Sequence, residues 1–252
     1  MRLGFFRPAR AAVLGLTFFL PRAEPAAAAT EVFVELVLAV DCSSSVNKAE
    51  FELQMRGLAE AFAHPSIHAA LEQAGTKGIA VALLQWSGEG AQSKAIDWHH
   101  ITDAASSMAF AEILNQTPRY IAGGATALGD AILESVAWIH SNDFIGERQV
   151  IDVSGDGRAN QGEGAAVARS KALKTGIVVN GLAILNEEPR LAEYYVAGVI
   201  GGPGSFLITA DDFEDFARAM RKKIFFEITG PPIAGIDPGN PDPNGRDLAY
   251  RE

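Results

Sequence analysis

Val34-Glu35-Leu36-Val37-Leu38-Ala39-Val40-Asp41-Cys42-Ser43-Ser44-Ser45 decides how this chain reads. A run of apolar and β-branched residues, typical of a strand buried on both faces, ends abruptly in one acid and three hydroxyls. In a parallel α/β sheet, ligands bind beyond the carboxyl ends of the strands. Asp41, Ser43 and Ser45 are spaced two apart, so one loop can turn all three oxygens toward a single point. One carboxylate with two hydroxyls is a hard-oxygen set, suited to Mg²⁺ or Mn²⁺ rather than to metals that prefer soft ligands.

Outward from this stretch, strand and helix patterns alternate for nearly 200 residues. Strands are expected over 33–40, 78–86, 148–154, 177–184 and 205–209. Residues 92–101 alternate more and carry Asp97, His99 and His100, as a strand near a sheet edge does. Helices are expected over 47–63, 103–114 with an Asp103 cap, 126–140, 162–175, 188–197 and 211–226. The last carries Phe213, Phe216, Met220 and Ile224 on one face. Strands alternating with helices imply a doubly wound, mostly parallel sheet with helices on both faces.

The ends read differently. Arg2, Arg7 and Arg10 precede a short apolar run, 11–20, and small residues at 26–29, the pattern of a secretory signal peptide over residues 1–29. The run is shorter than the roughly 20 residues of a spanning helix, so no stable membrane anchor is expected. The expected α/β domain is 30–228. From Pro231 onward prolines, glycines and acids dominate, and 229–252 reads as a flexible tail. Loss of the leader removes Arg2, Arg7, Arg10, Arg22 and Glu24 and takes the formal charge from −10 to −13. So acidic a chain is not expected to bind nucleic acid or anionic membrane. Cys42 is the single cysteine, so there is no intrachain disulfide; it reads as a small buried filler rather than a nucleophile.

Two later loops supply further oxygens. Gly123-Gly124-Ala125-Thr126 precedes a helix, and Ser154-Gly155-Asp156-Gly157 follows a strand. In this order and spacing the three loops resemble the metal-ion-dependent adhesion site (MIDAS) of von Willebrand factor A domains, also found in integrin I domains. The likeness covers roughly residues 31–226 and is nearest to a bacterial group of exported von Willebrand A-like proteins of uncharacterised role. It implies a Rossmann-like fold. It also implies that Ser43 and Ser45 bind the metal through their hydroxyls, that Asp41 and Asp156 hold it largely through water, and that Thr126 does so directly or through water. Few direct anionic ligands leave the ion electrophilic, with one position open to a carboxylate from a partner protein. One departure is Gly155, where the family often has Thr. Asp152 lies inside the apolar strand and reads as a structural acid or as a group orienting a ligand of the site.

Other motifs carry less. His64 and His68 are four apart, but Pro65 between them is expected to break the helix that a zinc pair needs. Trp86-Ser87-Gly88-Glu89-Gly90 lacks the leading glycine of a nucleophile elbow. Gly201-Gly202-Pro203-Gly204 reads as a turn, not a phosphate cradle. The expectation is therefore a non-enzymatic, divalent-metal-dependent, adhesion-type binding module, periplasmic or secreted from a bacterium. The alternatives are a metal-dependent hydrolase, or a structural domain with a vestigial site.

Overall fold

The computed structural model describes residues 1, 29–231 and 249–250. Most of the leader expected over 1–29 and most of the tail expected over 229–252 lie outside the described residues. The strands are β1 (Thr30–Asp41), β2 (Ile79–Trp86), β3 (Gln92–Ile101), β4 (Phe144–Gly155), β5 (Val178–Ile184), β6 (Phe206–Ala210) and the two-residue β7 (Ala249–Tyr250). They form one sheet in the order β3-β2-β1-β4-β5-β6-β7. β2, β1, β4, β5 and β6 run parallel, while β3 and β7 pair antiparallel at the edges.

β1 shows why the sequence builds this sheet. Val34, Leu36, Leu38 and Val40 enter one core, and Val37 and Ala39 enter the other. Side chains alternate across a strand, so a continuous apolar run can serve two helical layers only from the middle of a sheet. The first layer holds α1 (Lys48–Phe62), α2 (Pro65–Ala74), α3 (Ala104–Gln116) and α7 (Phe216–Thr229). The second holds α4 (Leu128–Ile139), α5 (Ala165–Lys174) and α6 (Leu191–Tyr194), which continues as one π-helical turn at Tyr195–Val199. The chain leaves β1 toward β2 on one side and later adds β4 on the other, so the carboxyl ends of β1 and β4 flank the point where strand order reverses. Ligand crevices of doubly wound sheets lie there.

Several boundaries depart from the sequence reading. Pro65 does not break a helix; it starts one. His64 caps α2 through its ring nitrogen, which accepts from Ser66 N at 3.1 Å, and Pro65 occupies the first turn, where a missing N–H costs nothing. His68 instead reaches the carbonyl of Phe62 at 3.0 Å. α7 begins at Phe216, not at 211, because the Asp215 and Asp212 side chains accept from Asp211 N and Asp215 N and hold a turn. α5 begins at Ala165, since Gly162 has φ +72°, outside the helical region. β4 starts four residues earlier than its apolar core because Phe144, Ile145 and Gly146 pair with Thr30, Glu31 and Val32.

Candidate metal centre

β1 ends at Asp41, and its backbone continues into the loop through Cys42 N, which donates to Trp86 O at 2.7 Å. Asp41 turns back on the loop: its Oδ1 accepts from Ser43 N at 2.7 Å. An aspartate closing such a turn is a common way for a short side chain to satisfy nearby backbone. Asn47 then opens α1 with a capping box, accepting from Ala49 N and Glu50 N while Glu50 accepts from Asn47 N. The five residues 41–45 are thereby fixed at both ends.

Three backbone and side-chain ties close the loops on one another. Ser45 Oγ donates to Asp156 Oδ1 at 2.8 Å, joining the β1 loop to the β4 loop. Ser44 N donates to Gly124 O at 2.9 Å, joining the β1 loop to the segment before α4. Asn160 clasps Thr126 from both sides, accepting from Thr126 N at 2.8 Å and donating to Thr126 O at 3.0 Å. That clasp keeps Thr126 out of the helix, so α4 starts two residues later than its periodicity suggests. Gly123 permits the approach: a Cβ there would stand 3.1 Å from Ser44 Cα. A Cβ on Gly155 would stand 2.9 Å from Asp41 Oδ2 and 3.1 Å from the Tyr195 hydroxyl. The Gly-for-Thr departure thus coincides with Tyr195, from the π-helical turn, filling the same neighbourhood.

The oxygens are gathered as follows. Ser43 Oγ and Ser45 Oγ are 3.0 Å apart, and Ser45 reaches Asp156. Asp41, Ser43 and Asp156 are at most 1% exposed, and Thr126 is 6% exposed. Asp41 Oδ2 and Asp156 Oδ2 are buried and have no hydrogen-bond partner. Burial pushes the Asp41 carboxyl up to about 7, the Asp156 charge adds to this, and Arg119 and the Ser43 hydrogen bonds oppose it. Asp156 is also raised, first by burial and then by Glu187 and Glu50. Two buried carboxylates that disfavour each other's charge, each with one idle oxygen and with hydroxyls between them, suit a small divalent cation. Among the described residues no group of three or more His, Cys, Asp or Glu is placed to bind a metal, so any ion here relies on the hydroxyls.

Asp152 does not join this cluster. It meets Lys223 Nζ at 3.2 Å in the first core layer, where Lys223 also meets Glu227 at 3.1 Å. Cys42 is fully buried, and burial drives its thiol up to about 12, far from nucleophilic use. The five histidines lie on α2 and its cap, on β3 beside the start of β2, and at the end of α4, which is the opposite end of the sheet from the three loops. The sequence reading passed over Arg119, Asn160, Gln54 and Tyr195. Gln54 is fully buried on α1 and donates to Asp41 O at 3.1 Å. Nothing in their local sequence marks them, because each acts through backbone or packing contacts across long chain separations.

The fold is similar to solved von Willebrand A domains. The pilus adhesin SpaC from Lactobacillus rhamnosus GG matches with a TM-score of 0.57 at 15% identity, over 78% of this chain and 30% of that one. The vWF domain of the type V pili tip protein Mfa5 from Porphyromonas gingivalis gives 0.55 at 11% identity, over 81% and 99%. Proximal thread matrix protein 1 from the mussel byssus gives 0.54 at 14% identity, over 80% and 47%, and a structure of that protein has a zinc-occupied MIDAS motif. This chain spans about half or less of the length of the byssus protein and of SpaC. No curated protein sequence matches it. At such identities the likeness establishes the fold, a von Willebrand A-type Rossmann-like sheet, which the loop geometry had already outlined. The chain belongs to the family described as "Protein of unknown function (DUF1194)", whose model matches residues 31–232.

Proposed function

We propose that this chain is an exported, divalent-metal-dependent protein-binding module of the adhesion type. The observation that carries the reading is the pair of idle buried oxygens, Asp41 Oδ2 and Asp156 Oδ2, beside the hydroxyls of Ser43 and Ser45. Ser43, Ser45 and Thr126 would hold Mg²⁺ or Mn²⁺, with Asp41 and Asp156 acting largely through water. When bound, such an ion supplies an electrophilic position that a partner's carboxylate completes. The chain's own residues do the rest: Asn160 fixes Thr126, and Gly123 lets the second loop approach the first.

Adhesins and a pilus tip protein among the similar folds are consistent with protein binding. The non-enzymatic reading is favoured by the five histidines, which lie at the far end of the sheet and cannot act as a general base beside the ion; the acids near it are Asp41, Asp156, Glu187 and Glu50. Export rests on the leader pattern of residues 1–29, with the domain at 30–228 and the tail at 229–252. Among the described residues no helix is long and apolar enough to cross a membrane.

Calorimetric titration of the domain with Mg²⁺ and Mn²⁺ tests the proposal. Binding by the wild type, abolished in the Asp41→Ala/Ser43→Ala double variant, is the expected result. Absence of binding by the wild type, or binding undiminished in the double variant, refutes it. Pull-down from a periplasmic fraction with and without chelator then isolates the metal-dependent partner.

A further inference from the structure

We infer that Arg119 is a positioning residue that sets the ion preference of the β1 loop; this rests on the metal reading above. Arg119 follows α3, far in sequence from the loop, and its guanidinium is spent almost entirely on carbonyls. Nη2 donates to Cys42 O at 2.6 Å and to Ser43 O at 3.2 Å. Nη1 donates to Val46 O at 2.8 Å, and Nε to Ile121 O at 3.0 Å. The group also lies over the Phe51 ring of α1, 5.7 Å from its centroid.

The base of this arginine is held as firmly as its tip. Gln85, fully buried on β2, donates to Pro118 O at 2.8 Å and accepts from Tyr120 N at 2.7 Å. The residues on both sides of Arg119 are therefore anchored to the sheet. A guanidinium is a planar fork with five donors, and a fork fixed at its root fixes what it grips.

What it grips has a chemical consequence. Ca²⁺ takes six to eight oxygens in flexible geometry and recruits backbone carbonyls readily; Mg²⁺ needs a tight octahedron and few protein ligands. The carbonyls of Cys42, Ser43 and Val46 are three of those along the loop, and Gln54 takes a fourth, that of Asp41. Arg119 ties all three to one rooted guanidinium, so the segment that carries Ser43 and Ser45 is held against slackening around a larger ion. Arg119 also places one fixed positive charge near Asp41, which reduces the negative field that favours ions indiscriminately.

The test is a pair of calorimetric titrations, Mn²⁺ and Ca²⁺, on wild type, Arg119→Ala, Arg119→Lys and Arg148→Ala. Arg148 pairs with Glu227 away from the loops, so its variant controls for general destabilisation. Wild type is expected to prefer Mn²⁺. Arg119→Ala should narrow that preference about tenfold, in the range measured for groups that orient metal ligands. Arg119→Lys keeps the charge but replaces the rigid planar fork with a compact ammonium on a flexible stem that cannot span the same carbonyls, so it should narrow the preference in the same direction. Arg148→Ala should leave the ratio unchanged. If Arg119→Ala does not fold, the lysine variant decides. Equal weakening of both ions, or an unchanged ratio, overturns the role of Arg119 and leaves the metal reading standing. Failure of the wild type to bind either ion overturns the metal reading, and the inference falls with it.

Discussion

Lys223→Met probes the most exposed assumption of the packing. Lys223 is fully buried between the sheet and α7, with Asp152 at 3.2 Å, Glu227 at 3.1 Å and the Phe206 ring centroid at 4.4 Å. Glu227 has other partners, since Asn180 donates to both its oxygens at 2.8 and 3.0 Å. Asp152 has no hydrogen bond at either oxygen and depends on the lysine. Methionine keeps the volume and removes the cation, leaving two buried acids face to face. Breaking a buried pair in this way costs about 3–5 kcal/mol. For a domain of this size that is a fall in Tm of about 6–20 °C.

The same group predicts a pH dependence whose sign is fixed. Burial raises the Asp152 carboxyl from 3.8 to about 6, Lys223 opposes, and Glu227 adds to the rise. The folded chain then holds more protons than the unfolded chain between these values. Stability from this group is present below about pH 4, declines as pH rises through 6, and is flat above about 7, a span of at most about 3 kcal/mol. Chemical denaturation followed by circular dichroism from pH 4 to 8, in chelator, measures it as the difference between wild type and Asp152→Asn. In Lys223→Met the decline should be steeper and reach higher pH, and adding Asp152→Asn should restore about 2 kcal/mol or more at pH 7. A Lys223→Met protein within about 1 kcal/mol of wild type at pH 7, or a loss that does not vary with pH, would falsify this account of the core.

Three further outcomes are expected. Saturating Mn²⁺ at about 100 times its Kd should stabilise the domain by about 2.7 kcal/mol, a rise in Tm of about 5–11 °C that EDTA reverses; a melt insensitive to both counts against the site. Asp156→Ala should abolish that rise while the chelated protein melts near the wild type, which scanning calorimetry reads directly. Gly129→Ala should cost about 1–3 kcal/mol in urea denaturation despite alanine's helix preference, because its Cβ would stand 2.1 Å from Glu163 O.

The sequence by itself determined the sheet and its layers. The apolar run of β1 is buried on both faces, and burial on both faces already implies a central strand with helices above and below. The antiparallel edge strand β3 was legible in its alternation, and Asp103 and Asn47 were legible as helix starts. Asp41, Ser43 and Ser45 were legible because they share one loop. Other features had no local signature. Pro65 read as a breaker because sequence shows the missing N–H but not the His64 cap that makes a first-turn proline harmless. Asp152 read ambiguously because its partner, Lys223, lies 71 positions later and meets it only when α7 packs on β4 and β5. Arg119 was silent because its contacts are carbonyls, which every residue has; only tertiary structure decides which carbonyls a guanidinium reaches. Local periodicity reports which way a side chain faces. Long-range packing alone reports what it meets there, and the candidate metal loop owes its shape to that second kind of contact.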